Sequence, residues 1–217
     1  ANVALCSLFR NRYEWDSAEA AYLRALASDP DNPEAHQQYG TMLLMTGRIR
    51  EGKRATHRAS VLDRVPVRIT WQAAGHIYDG DTEQATQILL QGLADHPASP
   101  VAIGFSLNRE YLATGQFEAY AARLEATDDE RASVAAALHA GDHEVLTARL
   151  LQRPSVWMAL GQPDSALSRV APLLQDPSVT PSWIWHPSLD PIRGEPEVQE
   201  ILRQMNLEGR TPDRTPR

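Results

Sequence analysis

Small and bulky apolar positions recur along this chain with helical spacing. Ala18, Tyr22 and Ala25 stand at i, i+4 and i+7 ahead of Pro30, and Ala85, Leu89 and Gly92 stand the same way ahead of Pro97. Gly52, Thr56 and Ala59 fit between them, with Pro66 slightly late. A second set lies upstream of each: Leu5, Cys6 and Phe9; Tyr39, Gly40 and Leu43; Ala74, Gly75 and Tyr78; Leu107, Asn108 and Tyr111. This spacing puts each set on one stripe of a helix. Successive sets fall about 34 residues apart, so each period is expected to hold two short amphipathic helices. The pattern predicts four repeats up to Tyr111 and two degenerate ones beyond it.

Breaks in the pattern fall where one helix must end and the next begin. Pro30 cannot continue the helix that carries Tyr22, and it moves Asp29 out of the helical region. Asn32 then offers an N-cap oxygen, and Pro33 suits the first helical turn, where its missing N–H costs nothing. Ser99-Pro100 repeats the device, and Asp81 with Gln84 is expected to form a capping box. Tyr22, Tyr39 and Tyr78 alternate with Ala18, Gly40 and Gly75, the size alternation that closely packed neighbouring helices require. Cys6 sits in a small-residue slot and reads as core filler.

The segment EWDSAEAAYLRALASDPDNPEAHQQYGTMLLMTGRIREG closely resembles tetratricopeptide repeats, as does WQAAGHIYDGDTEQATQILLQGLADHP. The resemblance implies an all-α fold, a TPR-like α-solenoid in which antiparallel helix pairs stack into a right-handed superhelix. It also implies that the first helix of each pair lines a concave groove that binds a protein or peptide. Carried over slot by slot, the inward candidates are Ser7, Gln37, Thr41, Gln72, His76, Phe105 and Arg109, with Leu44 and Asp79 near the rim. Some members of the family clamp a C-terminal carboxylate with lysine, arginine and asparagine. Here only Arg109 could serve, and Asn108 falls on the packing side, so a partly apolar segment is the expected occupant. Phe105 and Leu44 would hold it, and Gln37, Gln72 and Arg109 would orient it.

Beyond Tyr111 the slots drift. Tyr120 occupies a position that earlier repeats fill with Ala or Gly, although Gly115 and Phe117 keep the turn. RASVAAALHAGDHEVL looks like a shortened unit ending its first helix at Gly141, and Arg153-Pro154 interrupts the helix before the turn at Gly161. The array is therefore expected over 1–177, degenerate after about 115, followed by a connector and C-terminal capping helix over 178–207. Pro196 opens that helix, Ile201, Leu202 and Met205 make it amphipathic, and the cap is expected to pack on the last repeat. HPSLDPIRGEPEVQEILRQMNL is similar to the closing segment of arrays in bacterial regulators, where a cyclase, kinase or winged-helix domain precedes the repeats. Residues 208–217, without apolar periodicity, are expected to be disordered.

Charge and composition narrow the function classes. A formal net charge of -7 and a pI near 5.5 oppose broad phosphate neutralisation, so no nucleic acid is expected as partner. The single cysteine excludes an internal disulfide framework and suits a reducing compartment. No apolar run reaches the length of a membrane span. The chain opens without Met and reads as an excised domain or a mature chain, cytoplasmic, or periplasmic if a leader has been removed.

No cofactor and no metal site are expected. His139 and His143 are four apart, but Gly141 lies between them and breaks the helix a metal pair would need. Asp79, Asp81 and Glu83 lack the register of a calcium loop, and Asp128, Asp129 and Glu130 suit a helix start. Trp15, Trp71 and Trp157 read as core, and Trp183 and Trp185 as the seam of the cap. No nucleotide, zinc-protease or hydrolase motif occurs. The function read from the sequence is a protein-interaction module, the scaffolding or sensory part of a bacterial regulator. The alternatives are a spacer in an envelope or secretion assembly and, last, an enzyme built on His76, Asp79 and Arg109.

Overall fold

A computed structural model describes residues 10–124, 126–146, 148–175 and 181–216. Among these residues there is no strand. The helices are α1 (Trp15–Ser28), α2 (Pro33–Met45), α3 (Ile49–Leu62), α4 (Pro66–Asp79), α5 (Thr82–Asp95), α6 (Val101–Ala113), α7 (Phe117–Ala122) and α8 (Asp128–His139). Then follow α9 (Ala148–Leu151), α10 (Pro154–Ala159), α11 (Pro163–Leu167), α12 (Val170–Gln175), two 3-10 turns (Pro181–Trp185 and Pro187–Ile192) and α13 (Pro196–Gln204). Helices that follow one another pack in pairs, and α2 also meets α4, the first helix of the next pair. The fold is an all-α, TPR-like solenoid. Two compact units divide the chain: residues 1–104, 182–187 and 202–217 form one, and residues 105–181 and 188–201 form the other.

In the first unit the punctuation acts as the sequence demands. Asn32 accepts the Ala35 N–H at 2.9 Å and Pro33 opens α2. Asp81 accepts the Gln84 N–H at 3.3 Å to open α5, but the expected capping box is only half formed, because the Asp81 N–H is already spent on the His76 carbonyl at 2.9 Å. Gly80 ends α4 at φ 83°, a conformation that costs a residue with a side chain. Tyr22 and Ala18 are fully buried, and Trp71 is only half-buried. The slots of Cys6, Leu5 and Phe9 lie outside the described residues.

Glycine sets how closely the helices approach. A Cβ on Gly40 would stand 2.7 Å from the Thr56 methyl carbon and 2.9 Å from the Thr56 backbone nitrogen, so α2 and α3 touch through bare backbone. A Cβ on Gly75 would stand 3.0 Å from Lys53 Cα, which places that notch in the α3–α4 seam. Gly40→Ala is expected to destabilise by about 1–3 kcal/mol through overpacking, although the same change at an open helical site stabilises by about 0.5–1 kcal/mol. Urea denaturation checks the sign; a raised midpoint would show that α3 yields.

A polar network ties α1, α2 and α3. Arg48 donates to Glu19 at 2.7 Å and to Glu51 at 2.8 Å, and the Tyr39 hydroxyl donates to Glu19 at 2.8 Å. Burial, and then the hydrogen bond and charge of Glu19, push the Tyr39 phenol up to about 12. The acceptors of Glu51, foremost, and of Glu19 raise the Arg48 guanidinium despite its partial burial.

Part of the connector and the C-terminal residues, 182–187 and 202–217, belong to the first unit, while 188–201 belong to the second. Trp185 is fully buried, lies 3.3 Å from where a Cβ of Gly47 would stand, and donates its indole N–H to the Met45 carbonyl at 2.8 Å. Trp15 donates to the Met205 carbonyl at 2.6 Å, and the Tyr78 and Ser182 hydroxyls pair at 3.1 Å. The physical reason is local: Gly47, at φ 78°, leaves a shallow seat beside the exposed carbonyl end of α2, and a flat indole fills both needs at once.

In the second unit, Thr127 and Glu130 form a reciprocal capping box that opens α8, and Gly141 follows its end at φ 80°. His139 bonds to the Ala135 carbonyl at 2.8 Å, and the His143 ring lies 4.6 Å from that of Trp157. Both histidines are thus engaged in packing, and no group of three metal-ligating side chains occurs among the described residues. Trp157 is buried, donates to the Leu151 carbonyl at 2.7 Å and carries the Arg169 guanidinium 4.4 Å above its ring. The Arg153-Pro154 break leaves α9 and α10 as short separate helices.

Candidate functional site

The first helices of two successive pairs, α2 and α4, carry the expected binding residues in equivalent slots: Gln37 with Gln72, Thr41 with His76, Leu44 with Asp79. Gln37 and Thr41 lie one turn apart on α2, so they share a face. Both are buried, as is Gln72. The Gln37 side-chain oxygen, the Thr41 hydroxyl and the Gln72 side-chain oxygen have no hydrogen-bond partner among the described residues. The Gln72 amide nitrogen lies 3.1 Å from His57 Nδ1, which orients it and leaves its oxygen over. A buried acceptor without a donor costs about 1–3 kcal/mol. Two amide oxygens and a hydroxyl, which can donate as well as accept, are thus left without partners at slots of α2 and α4.

The remaining expected residues divide. Leu44 is fully buried, and its side chain fills the notch left by Gly52 on α3, 2.7 Å from where a Cβ would stand. It belongs to the seam between helices because glycine opened that seam, so it does not form a rim. His76 pairs with Asp81 at 3.1 Å. Phe105 and Arg109 are half-buried and belong to the second unit. Ser7 lies outside the described residues.

Asp79, expected near the rim, is buried beneath the chain's own C-terminal segment. Its carboxylate accepts from the Lys53 ammonium, from the Thr215 backbone N–H at 2.7 Å and from the Thr215 hydroxyl at 2.9 Å. Of segment 208–217, read as disordered for want of apolar periodicity, residues 213–215 are thus held here by polar bonds, which leave no such periodicity. A cavity of about 540 Å³ continues past Thr215, lined by Lys53, Asp79, Gly80, Asp81, Thr82 and Glu83. The cluster His76, Asp79 and Arg109, the one an enzyme would need, is not gathered in the first unit: His76 turns to Asp81 and Asp79 to Lys53 and Thr215.

Burial alone would raise the Asp79 carboxyl. The hydrogen bond from Lys53, the two from Thr215 and the lysine charge outweigh it and hold the carboxyl below its usual value. A carboxyl depressed on folding contributes stability that is complete above its unfolded value, about 3.9, and is lost as pH falls through the lower folded one. The Thr215 anchor is therefore expected to hold from neutral pH down to about 4 and to release below it. The Thr215 amide resonance followed by pH titration checks this, and release already near pH 6 would contradict it.

Sequence reading passed over Lys53, Asp213, Arg214 and Thr215. The one weak signal was that TGRIREG offers Arg48 where a helix prefers Ser, Thr, Asp or Asn, a lack that α1 and α4 share. Among the described residues no helix is long and apolar enough to cross a membrane.

Residues 21–54, from the middle of α1 through α2 to the start of α3, match the family model described as Tetratricopeptide repeat. No curated protein and no solved structure matches the chain.

Proposed function

We propose that this chain, a tetratricopeptide-repeat protein and hence a protein-interaction module, binds an extended segment of a partner protein along the α2–α4 face of its first unit. The observation that carries the reading is the set of unpartnered buried oxygens at Gln37, Thr41 and Gln72. These oxygens are closed to solvent, so binding requires the Gln37 and Gln72 side chains to turn outward, where backbone N–H groups of an extended peptide supply donors and no particular ligand side chain is needed. Specificity then falls to His76 and to neighbouring apolar surface. The wider setting that the C-terminal resemblance suggests, a bacterial regulator with a signalling or DNA-binding domain, belongs to the same proposal. So do a cytoplasmic location and the absence of a catalytic role.

The test separates binding from folding. Gln37→Met and Thr41→Val keep volume and remove the unpaired acceptors, so the double variant is expected to be as stable as the parent or about 1 kcal/mol more stable. Capture of peptides selected by display on the parent chain should weaken at least about tenfold, or about 1.4 kcal/mol. A destabilised variant that captures the same peptides equally well would show that these groups hold internal water and serve the fold alone.

A further inference from the structure

Every helix leaves donors at its start and acceptors at its end that its own ladder cannot satisfy. On the edge of the first unit where α2 turns into α3 and α4 turns into α5, the C-terminal tail satisfies several of them. The Asp213 carboxylate accepts the Arg50 N–H at 3.2 Å in the first turn of α3, whose N-cap residue, Arg48, makes no side-chain cap. The Asp213 N–H donates to the Gly47 carbonyl at 3.0 Å. Arg214 Nε donates to the Tyr78 carbonyl at 2.7 Å, in the last turn of α4, and a second guanidinium nitrogen reaches the Trp185 carbonyl at 2.7 Å. Thr215 spends both its N–H and its hydroxyl on the buried Asp79 carboxylate. Three consecutive side chains are therefore read individually: a carboxylate by a helix start, a guanidinium by two carbonyls, a hydroxyl by a carboxylate.

We propose that this turn edge, from Gly47 to Asp79, is a docking strip for an extended Asp-Arg-Thr peptide of a partner protein, which competes with the chain's own residues 213–216 for the same groups. Residues 208–216 contain no helix, so an incoming peptide of the same sequence needs no refolding to replace them. The cavity of about 540 Å³ beyond Thr215 has Asp81 and Glu83 on its wall, which favours a peptide that continues with a basic residue. The tail is tethered to its site, so its local concentration is far above that of a free competitor. It acts as a filter that only a tight or multivalent partner passes. This strip is separate from Gln37, Thr41 and Gln72.

The full chain tests it with a fluorescent peptide of sequence TPDRTPR, read by anisotropy. The parent is expected to bind weakly, because its own tail competes. A chain with Asp213→Ala, Arg214→Ala and Thr215→Ala should bind at least about tenfold more tightly, and adding Asp79→Asn should abolish the gain. Equal binding by parent and triple variant, or no binding by either up to millimolar peptide, would overturn the proposal. Concentration-dependent dimers of the parent that the triple variant does not form would also overturn it, giving the strip to a second copy of the chain. Hydrogen exchange at the Arg50 amide provides a check that needs no added peptide. Protection should fall in the triple variant while far-UV circular dichroism stays unchanged, and unaltered protection would show that Asp213 caps nothing.

Discussion

Trp185→Ala is expected to destabilise the chain by about 4–5 kcal/mol. Truncating a fully buried tryptophan costs about 3–5 kcal/mol in lost transfer energy and cavity, and Trp185 is fully buried. The indole N–H also satisfies the Met45 carbonyl at the end of α2, and leaving that acceptor unpaired adds to the loss. Trp185→Phe keeps most of the ring over Gly47 and removes only the donor, so it should lose about 1–3 kcal/mol. At roughly 2–4 °C per kcal/mol for a chain of this size, the alanine variant should melt about 8–20 °C lower. Thermal and urea unfolding of the two variants side by side check this. A loss under about 1 kcal/mol for the alanine variant would mean that the aromatic segment does not rest on the α2–α3 turn.

Tyr22→Ala should cost about 3–5 kcal/mol by the same mechanism. Its ring is fully buried within α1 and lies 6.0 Å from that of Tyr39, tilted by 41°. Tyr39 is in turn fixed through its hydroxyl to Glu19, so the space left by Tyr22 cannot close by a simple rotation of its neighbour. Tyr22→Phe keeps the ring and should cost far less. A loss of only a few tenths in the alanine variant, read from the urea midpoint at constant slope, would put the register of α1 in error.

How much of this was legible in the sequence depends on the kind of interaction. The Ala18, Tyr22, Ala25 stripe, the Gly40 and Gly75 notches and the Asn32-Pro33 start express themselves in residue type and spacing, and each lies where that grammar puts it. Slots carried over from the family were less secure at their edges. Leu44 and Asp79 occupy equivalent positions, yet a glycine on α3 draws Leu44 into the seam, and the tail covers Asp79. The return of Trp185, Asp213, Arg214 and Thr215 to the first turns was not legible at all. Those contacts pair backbone groups with polar side chains far along the chain, and such pairs leave no periodic trace. The uncapped start of α3 is too weak a pointer, since α1 and α4 also begin without a side-chain cap.

The indole of Trp185 and the polar tail bear on how the first unit is made during translation. Helices α1 to α5 leave the ribosome early, but the residues that finish their ends follow after an interval of roughly 85 residues, about 4–17 s at ordinary elongation speed. Through that interval the carbonyl of Met45 and the seat at Gly47 must stay in contact with solvent or with a chaperone. The nascent first repeats are therefore expected to be held open to proteases and helpers until residues 182–187 and 202–216 arrive, which makes their docking a late step in building the first unit.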